Sequence, residues 1–223
     1  IANIEKRETQ PVIANDSLWL LANIIQREPT QRAPIFAGLS NHLHQLIANI
    51  EKSETQPSLT AYSILLLAGL IQQEPAQAAD ICAGLSKHLH HLIANIEKSE
   101  THPRLVDASL WLLCAILQQE PRFILEPYSA TLRDHVVIPL VRKVTCREMS
   151  LQAISCLYEL ACSNGSHSIV RAMVLDELNT TGRITSIETY AALDRVDQHK
   201  ALAAISQKLL GELKPQPKPC VIM

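Results

Sequence analysis

A six-residue string, IANIEK, occurs three times in the sequence at a constant spacing of 46 residues. It begins at Ile1, Ile47 and Ile93, and a similar polar segment follows each copy. The first two stretches of 46 residues agree at about 29 of 46 positions, which indicates internal duplication. In repeat proteins a single unit buries its apolar faces only by stacking on its neighbours. The period therefore predicts an array of stacked units.

Composition favours helices in each unit. Hydrophobic residues make up 47% of the 223 residues, aromatic residues make up 4%, and there are 6 Gly and 12 Pro. Leu, Ile and Ala, which supply most of this apolar surface, are compatible with helices, and few glycines remain for phosphate-binding loops. The 20 basic and 22 acidic residues give a formal net charge of −2. Without a basic field, binding to nucleic acid is not expected.

One unit divides into three predicted helices. Residues 75–83 form a short first helix that is expected to stop at Gly84. Residues 85–98 place Leu85, Leu89 and Leu92 on one face, the spacing of an amphipathic second helix. A more apolar third helix over residues 104–119 is expected to end before Pro121, because the residue before a proline disfavours helical angles.

The run ICAGLSKHLHHLIANIEKSETHPRLVDASLWLLCAILQ, residues 81–118, resembles an armadillo repeat. The resemblance covers most of the chain and implies an all-α fold. The expected fold is a right-handed α-solenoid of three-helix armadillo-like repeats with a divergent helical cap and an extended tail. The expected domains are repeats over 1–165, a C-terminal helical cap over 166–213 and a Pro-rich tail over 214–223. Within them, further helices are predicted at residues 138–144, 150–162, 168–178 and 186–213.

The armadillo resemblance also implies a protein-binding groove. In that family the third helices line a concave surface, where a Trp and an Asn four residues apart clamp an extended peptide. Trp19 and Asn23 match this spacing, and Trp111 is expected in the groove wall or the core. The other units depart from the pattern, so a complete ladder of Trp–Asn pairs is absent. The corresponding pairs are Leu65 with Gly69 and Trp111 with Ala115.

Histidines also recur with the repeat. His42 and His44 in one unit correspond to His88 and His90 in the next, where His91 is added. His88 and His91 could share a helix face, but no Cys or carboxylate completes a metal-binding set nearby. We therefore expect a solvated ridge of histidines and no metal or other cofactor.

The remaining motifs argue against catalysis. None of the six cysteines forms a C-x-x-C pair, which favours reduced thiols over a zinc site or a disulfide framework. The sequence has no G-x-S-x-G, H-E-x-x-H, phosphate-loop or dinucleotide-binding motif. No apolar run approaches the roughly 20 residues that span a bilayer. These patterns predict a protein that is not an enzyme.

The last four residues carry a modification motif. Cys220, Val221, Ile222 and Met223 match the C-a-a-X prenylation box, and Met in the last position predicts a farnesyl chain. Pro215, Pro217 and Pro219 disfavour helix and sheet, so the tail is expected to extend the thiol away from the folded body. We therefore expect a protein prenyltransferase to act on Cys220.

Together these features predict an adaptor or scaffold that is held at the cytosolic face of membranes by its lipid, with a soluble cytoplasmic pool, and that binds a protein partner in its groove. One farnesyl chain anchors only reversibly, so a membrane-bound partner would strengthen the attachment. The alternative is a soluble carrier or exchange factor for small GTPases or cargo peptides. The combination of near-identical repeats with a eukaryotic lipid signal also resembles bacterial effectors that use the host's prenylation machinery.

Overall fold

The described part of the chain is all-helical. The structure is a computed structural model that describes residues 11–97, 101–145, 150–162, 167–192 and 200–213, and these residues contain no strand. In chain order the α-helices are α1 (Pro11–Arg27), α2 (Arg32–Leu39), α3 (Leu43–Ala48), α4 (Pro57–Gln73), α5 (Pro75–Leu85), α6 (Leu89–Glu97), α7 (Pro103–Gln119), α8 (Arg122–Leu125), α9 (Ile138–Lys143), α10 (Ser150–Cys162), α11 (His167–Thr180), α12 (Ile184–Ala191) and α13 (Lys200–Leu213).

Short tight helices join several of these elements. The 3₁₀ turns lie at Pro29–Gln31, Ser40–His42, Asn49–Lys52 and Ser86–His88, and a π-helical segment covers Arg133–Val137.

The chain divides into two compact units, Ile1–Pro139 and Leu140–Met223.

The longest helices of the first unit carry the repeat. α1, α4 and α7 each have 17 residues, and their bounds differ by 46 residues at both ends. α4 packs against both α1 and α7. Pro57 and Pro103 open α4 and α7, because the fixed φ of proline suits the first turn and its missing N–H removes no helical hydrogen bond. The third helix predicted at 104–119 is confirmed within one residue.

The predicted end of the first helix is wrong. α5 continues through Gly84 to Leu85, and the break falls in the 3₁₀ turn Ser86–His88, before α6 begins. Gly84 therefore lies inside the helix and does not interrupt it. A Cβ atom at this position would stand 2.7 Å from Ile47 Cδ1.

A buried polar cluster joins the second and third helices of one unit. Asn49 Nδ2 donates to Ser63 Oγ at 2.9 Å, and Thr60 Oγ1 donates to the Asn49 carbonyl oxygen at 2.7 Å. Ser63 Oγ in turn donates to the carbonyl oxygen of Leu59 at 2.9 Å. These bonds satisfy groups that burial would otherwise leave without partners, at a cost of about 1–3 kcal/mol each. The repeated Asn of IANIEK therefore has a structural role in this unit.

The second unit contains a helical group of its own. α13 packs against α10, α11 and α12, and α10 also packs against α11. The helix predicted at 150–162 is confirmed, and α11 extends the one predicted at 168–178. Gly182, which follows α11, has a φ of 70°, a conformation that glycine adopts without strain. The sequence predicts a single helix over 186–213. In the structure, α12 ends at Ala191 and a separate helix, α13, begins at Lys200.

The boundary between the compact units lies inside the range 1–165 that the sequence assigns to the repeats. The sequence placed the end of the repeats at residue 165, whereas the units divide between residues 139 and 140. The reason is the position of α10, whose main contacts are with α13 and α11.

Candidate functional site

The first unit presents a row of large apolar side chains at equivalent positions of its third helices. Trp19 of α1, Leu65 of α4 and Trp111 of α7 stand 46 residues apart on helices that pack side by side. Trp19 is 48% exposed, and Leu65 and Trp111 are partly exposed. We call Trp19, Leu65 and Trp111 the apolar row. Exposed apolar residues in register on neighbouring helices form a surface suited to apolar side chains of a partner.

The Trp–Asn pair lies at the exposed end of this row. Asn23 Nδ2 donates a hydrogen bond of 2.8 Å to the backbone carbonyl oxygen of Trp19, one turn earlier in α1. This bond holds the amide against its own helix. One of the two Nδ2 hydrogens is therefore occupied, while the side-chain oxygen is a potential acceptor for a bound N–H group.

Packing explains why the other units lack the Asn. Gly69 takes the place of Asn23 in α4, and a Cβ there would stand 3.0 Å from Cζ of Phe36. The Phe36 ring is almost completely buried, so a larger side chain at position 69 would require that ring to move. The corresponding Ala115 of α7 is fully buried. No sequence motif indicates Phe36, because this residue belongs to α2 and lies outside the repeated pattern of the third helices.

A small cavity opens beside the apolar row. Its volume is about 70 Å³, and Trp111, Phe36 and Gly69 contribute to its wall. Arg32 lies at its edge and donates from Nε to the Ile25 carbonyl oxygen at 2.8 Å. Trp111, which the sequence assigned to the groove wall or the core, is partly exposed and contributes to the wall of this cavity.

Two further cavities repeat with the 46-residue period at the starts of the third helices. One, of about 300 Å³, lies between α1 and residues 56–59, and the other, of about 220 Å³, lies between α4 and residues 101–105. In the first cavity Asn15 Oδ1 and Gln56 Oε1 are buried acceptors that have no hydrogen-bond partner among the described residues. The sequence motifs did not indicate these cavities.

The histidines are not uniformly solvated. His90 and His44 are exposed, as expected for a ridge. His88, by contrast, is only 12% exposed, and its Nδ1 lies 3.5 Å from Glu51 Oε1. His42 Nδ1 lies 2.9 Å from Gln45 Oε1. The prediction of a solvated ridge is therefore wrong for His88, whose side chain lies between two consecutive repeats.

The counterpart of His88 in the next unit is an acid, Asp134. Asp134, His135, His90 and Tyr128 contribute to a cavity of about 290 Å³, and Glu97 also lies in its wall. Within the described ranges of the chain, no three His, Cys, Asp or Glu side chains come together in a group that could hold a metal ion.

Two of the described thiols, Cys82 and Cys162, are poor nucleophiles at neutral pH. Burial raises the pKa of Cys82 to about 12, with a smaller effect from the nearby Glu120 carboxylate. Burial also raises the pKa of Cys162, and a hydrogen bond with Cys162 raises the pKa of Tyr158 to about 12. A thiol with a raised pKa remains protonated, and the thiolate is the reactive form.

The prenylation motif, Cys220 to Met223, lies outside the described residues. Among the helices that the structure describes, none combines the length and apolar character needed to cross a membrane. No protein-family model matches the sequence, and no curated protein matches it.

Proposed function

We propose that this protein is a protein-binding adaptor or scaffold whose third helices form the recognition surface of a right-handed armadillo-like solenoid. The packing of α4 against α1 and α7, with bounds offset by one period, supports this arrangement. The observation that carries the proposal is the apolar row, Trp19, Leu65 and Trp111, in register on these helices.

The recognition surface combines apolar and polar features. Large aromatic side chains supply much of the binding energy at protein interfaces, and Trp19 is half exposed. The side-chain oxygen of Asn23 would accept a backbone N–H group of the same partner. We infer a ligand that is an extended polypeptide with apolar side chains facing the row.

The second part of the proposal is a lipid anchor. A farnesyl chain on Cys220 would hold the adaptor at the cytosolic face of a membrane. The support is the sequence motif Cys220-Val221-Ile222-Met223 with the proline-rich segment before it. Because a single chain binds reversibly, the protein partner would prolong residence at the membrane.

Peptide display against the full chain tests the recognition surface. Peptides selected on the wild-type protein are measured against Trp19→Ala and Leu65→Asp, with Ala79→Asp as the matched control. Ala79 is exposed on α5, outside the apolar row. We expect Trp19→Ala and Leu65→Asp to weaken binding by about 30-fold, the effect of losing an interface hot spot, and Ala79→Asp to leave it unchanged. Equal binding by all four proteins would contradict the proposal. Circular dichroism checks that each variant is folded.

A further inference from the structure

Arg32 brings a charged group to the small cavity beside the apolar row. The cavity has a volume of about 70 Å³, and its wall includes Trp111 of the apolar row together with the side chains of Gln72 and Gln73. Of the described residues in that wall, Arg32 alone carries a formal charge. The recognition surface therefore contains a positive group whose role is not explained by apolar contacts.

The structural role of Arg32 uses only part of its guanidinium group. Arg32 Nε donates to the carbonyl oxygen of Ile25, which lies in the last turn of α1, where carbonyl oxygens have no amide partner within the helix. A guanidinium has five N–H donors in a planar fork, and the four on the two Nη atoms take no part in this bond. This end of α1 lies about 20 Å along the helix from Pro11, so the cavity is remote from the point where the described chain begins.

The repeat shows that a charge at this position is unusual. The counterparts of Arg32, 46 and 92 residues later, are Ala78 and Ile124, which are 2% and 0% exposed. In those two units an apolar side chain fills the position in the interior. Arg32 is instead partly exposed and contributes to the wall of the cavity. Among the three described copies of this position, only the copy in α2 therefore presents a charge next to the apolar row.

We propose that Arg32 binds the side-chain carboxylate of an aspartate or glutamate in the partner polypeptide. This inference rests on the proposed function and adds the chemical class of one ligand residue. A carboxylate matches the fork of a guanidinium and accepts two parallel N–H bonds from it. The cavity, at about 70 Å³, exceeds the roughly 10–15 Å³ that holds one water molecule, so a carboxyl group fits in it. Because Trp111 belongs to both the cavity wall and the apolar row, the acidic residue would lie close to an apolar residue of the same ligand.

Peptides selected by display on the wild-type chain are the probe. They are synthesised with amidated C-termini, so that side-chain carboxylates are measured and the chain end is not. We expect an acidic residue to be enriched at one position of the selected peptides. Exchange of that residue for its amide, Glu for Gln or Asp for Asn, should weaken binding to the wild-type chain by about 10-fold, because a charge-assisted hydrogen bond is lost. The same exchange should leave binding to Arg32→Gln unchanged.

Arg27→Gln is the matched control for the loss of one positive charge. Arg27 is exposed in the last turn of α1 and lies outside the cavity wall, so this variant should keep the full preference for the acidic peptide. The comparison of the acidic and amide peptides on the wild-type chain needs no protein variant. It therefore decides the question even where Arg32→Gln does not fold, which circular dichroism checks.

The outcomes separate this inference from the proposed function. Absence of an enriched acidic position, equal binding of the acidic and amide peptides to the wild-type chain, or a preference that persists in Arg32→Gln overturns the carboxylate site. Each of these results leaves the apolar row as a binding surface, provided that Leu65→Asp weakens binding of the same peptides. If no selected peptide depends on Leu65, the proposed function is wrong, and the carboxylate site is wrong with it.

Discussion

Two glycines inside helices show that the same residue type can have different structural roles. Gly69 and Gly211 both lie inside helices, where glycine costs roughly 1 kcal/mol relative to alanine. At Gly69 a Cβ would meet the buried Phe36 ring at 3.0 Å, whereas at Gly211 nothing lies within 4 Å. The first glycine permits close packing between α4 and α2. For the second, the structure gives no packing reason.

The same substitution should therefore have opposite effects at these two positions. Gly211→Ala is expected to raise the free energy of unfolding by about 0.5–1 kcal/mol, because helix propensity improves without a clash. Gly69→Ala gains the same propensity but forces the Phe36 ring to move, at a cost of about 1–3 kcal/mol, so a net loss of about 1 kcal/mol is expected. Urea denaturation of the two variants measures both values. Stabilisation by Gly69→Ala as large as that by Gly211→Ala would show that Phe36 moves freely.

Residues of the candidate site were predictable only where they belong to the repeat. The sequence identified Trp19, Asn23 and Trp111 by their spacing, and the structure places Trp19 and Trp111 in one row with Leu65. The contact of Phe36 with Gly69 could not be predicted, because it joins two helices whose packing depends on tertiary structure. For the same reason, no sequence pattern predicts that His88 lies close to Glu51.

At the scale of helices, the helix bounds that could be predicted were those set by prolines. The bounds of α7 follow from Pro103 and Pro121, which fix its start and stop by covalent geometry. The break between α5 and α6 was placed two residues too early, because glycine is compatible with both a helix end and a close helix contact. Propensity alone does not choose between these roles. In the structure the helix continues through Gly84, whose neighbour across the contact is the end of the Ile47 side chain.

Packing of the third helices predicts a sharp contrast between two substitutions. Leu112 of α7 is fully buried, so Leu112→Ala is expected to lower the free energy of unfolding by about 2–5 kcal/mol through lost burial and the cavity left behind. His90 of α6 is exposed, and His90→Ala is expected to change that free energy by less than about 0.5 kcal/mol. Guanidinium denaturation compares the two. A loss of several kcal/mol for His90→Ala, or stabilisation of the wild type by zinc, would contradict the interpretation of His90 as an exposed residue that binds no metal.

For the whole molecule, the repeat period predicted the helical class but not where the compact units divide. Identical strings recur through the first unit, and its third helices follow them residue for residue. In the second unit the sequence has diverged, and α10 packs mainly against α13, far along the chain. Periodicity describes contacts between neighbouring repeats. It carries no information about the contact between α10 and α13, because these two helices do not resemble the earlier repeats.

The proposed lipid anchor makes a prediction about the complete chain in a eukaryotic cell. Farnesylation of Cys220 should move part of the protein to the membrane fraction, because each buried methylene contributes about 0.8 kcal/mol. Cys220→Ser should abolish that fraction and leave the far-ultraviolet circular dichroism unchanged. Leu65→Asp should keep the lipid but reduce the membrane fraction, since one farnesyl chain alone binds reversibly and the apolar row is proposed to hold the partner.

Cys82→Ser is the control for loss of a thiol, as Cys82 is buried in α5. Cell fractionation and the intact mass of the recovered protein report the two effects separately. A membrane fraction that persists in Cys220→Ser, or an intact mass that retains an unmodified Met223 terminus, would refute the anchor, while the recognition surface would still be tested by its own variants.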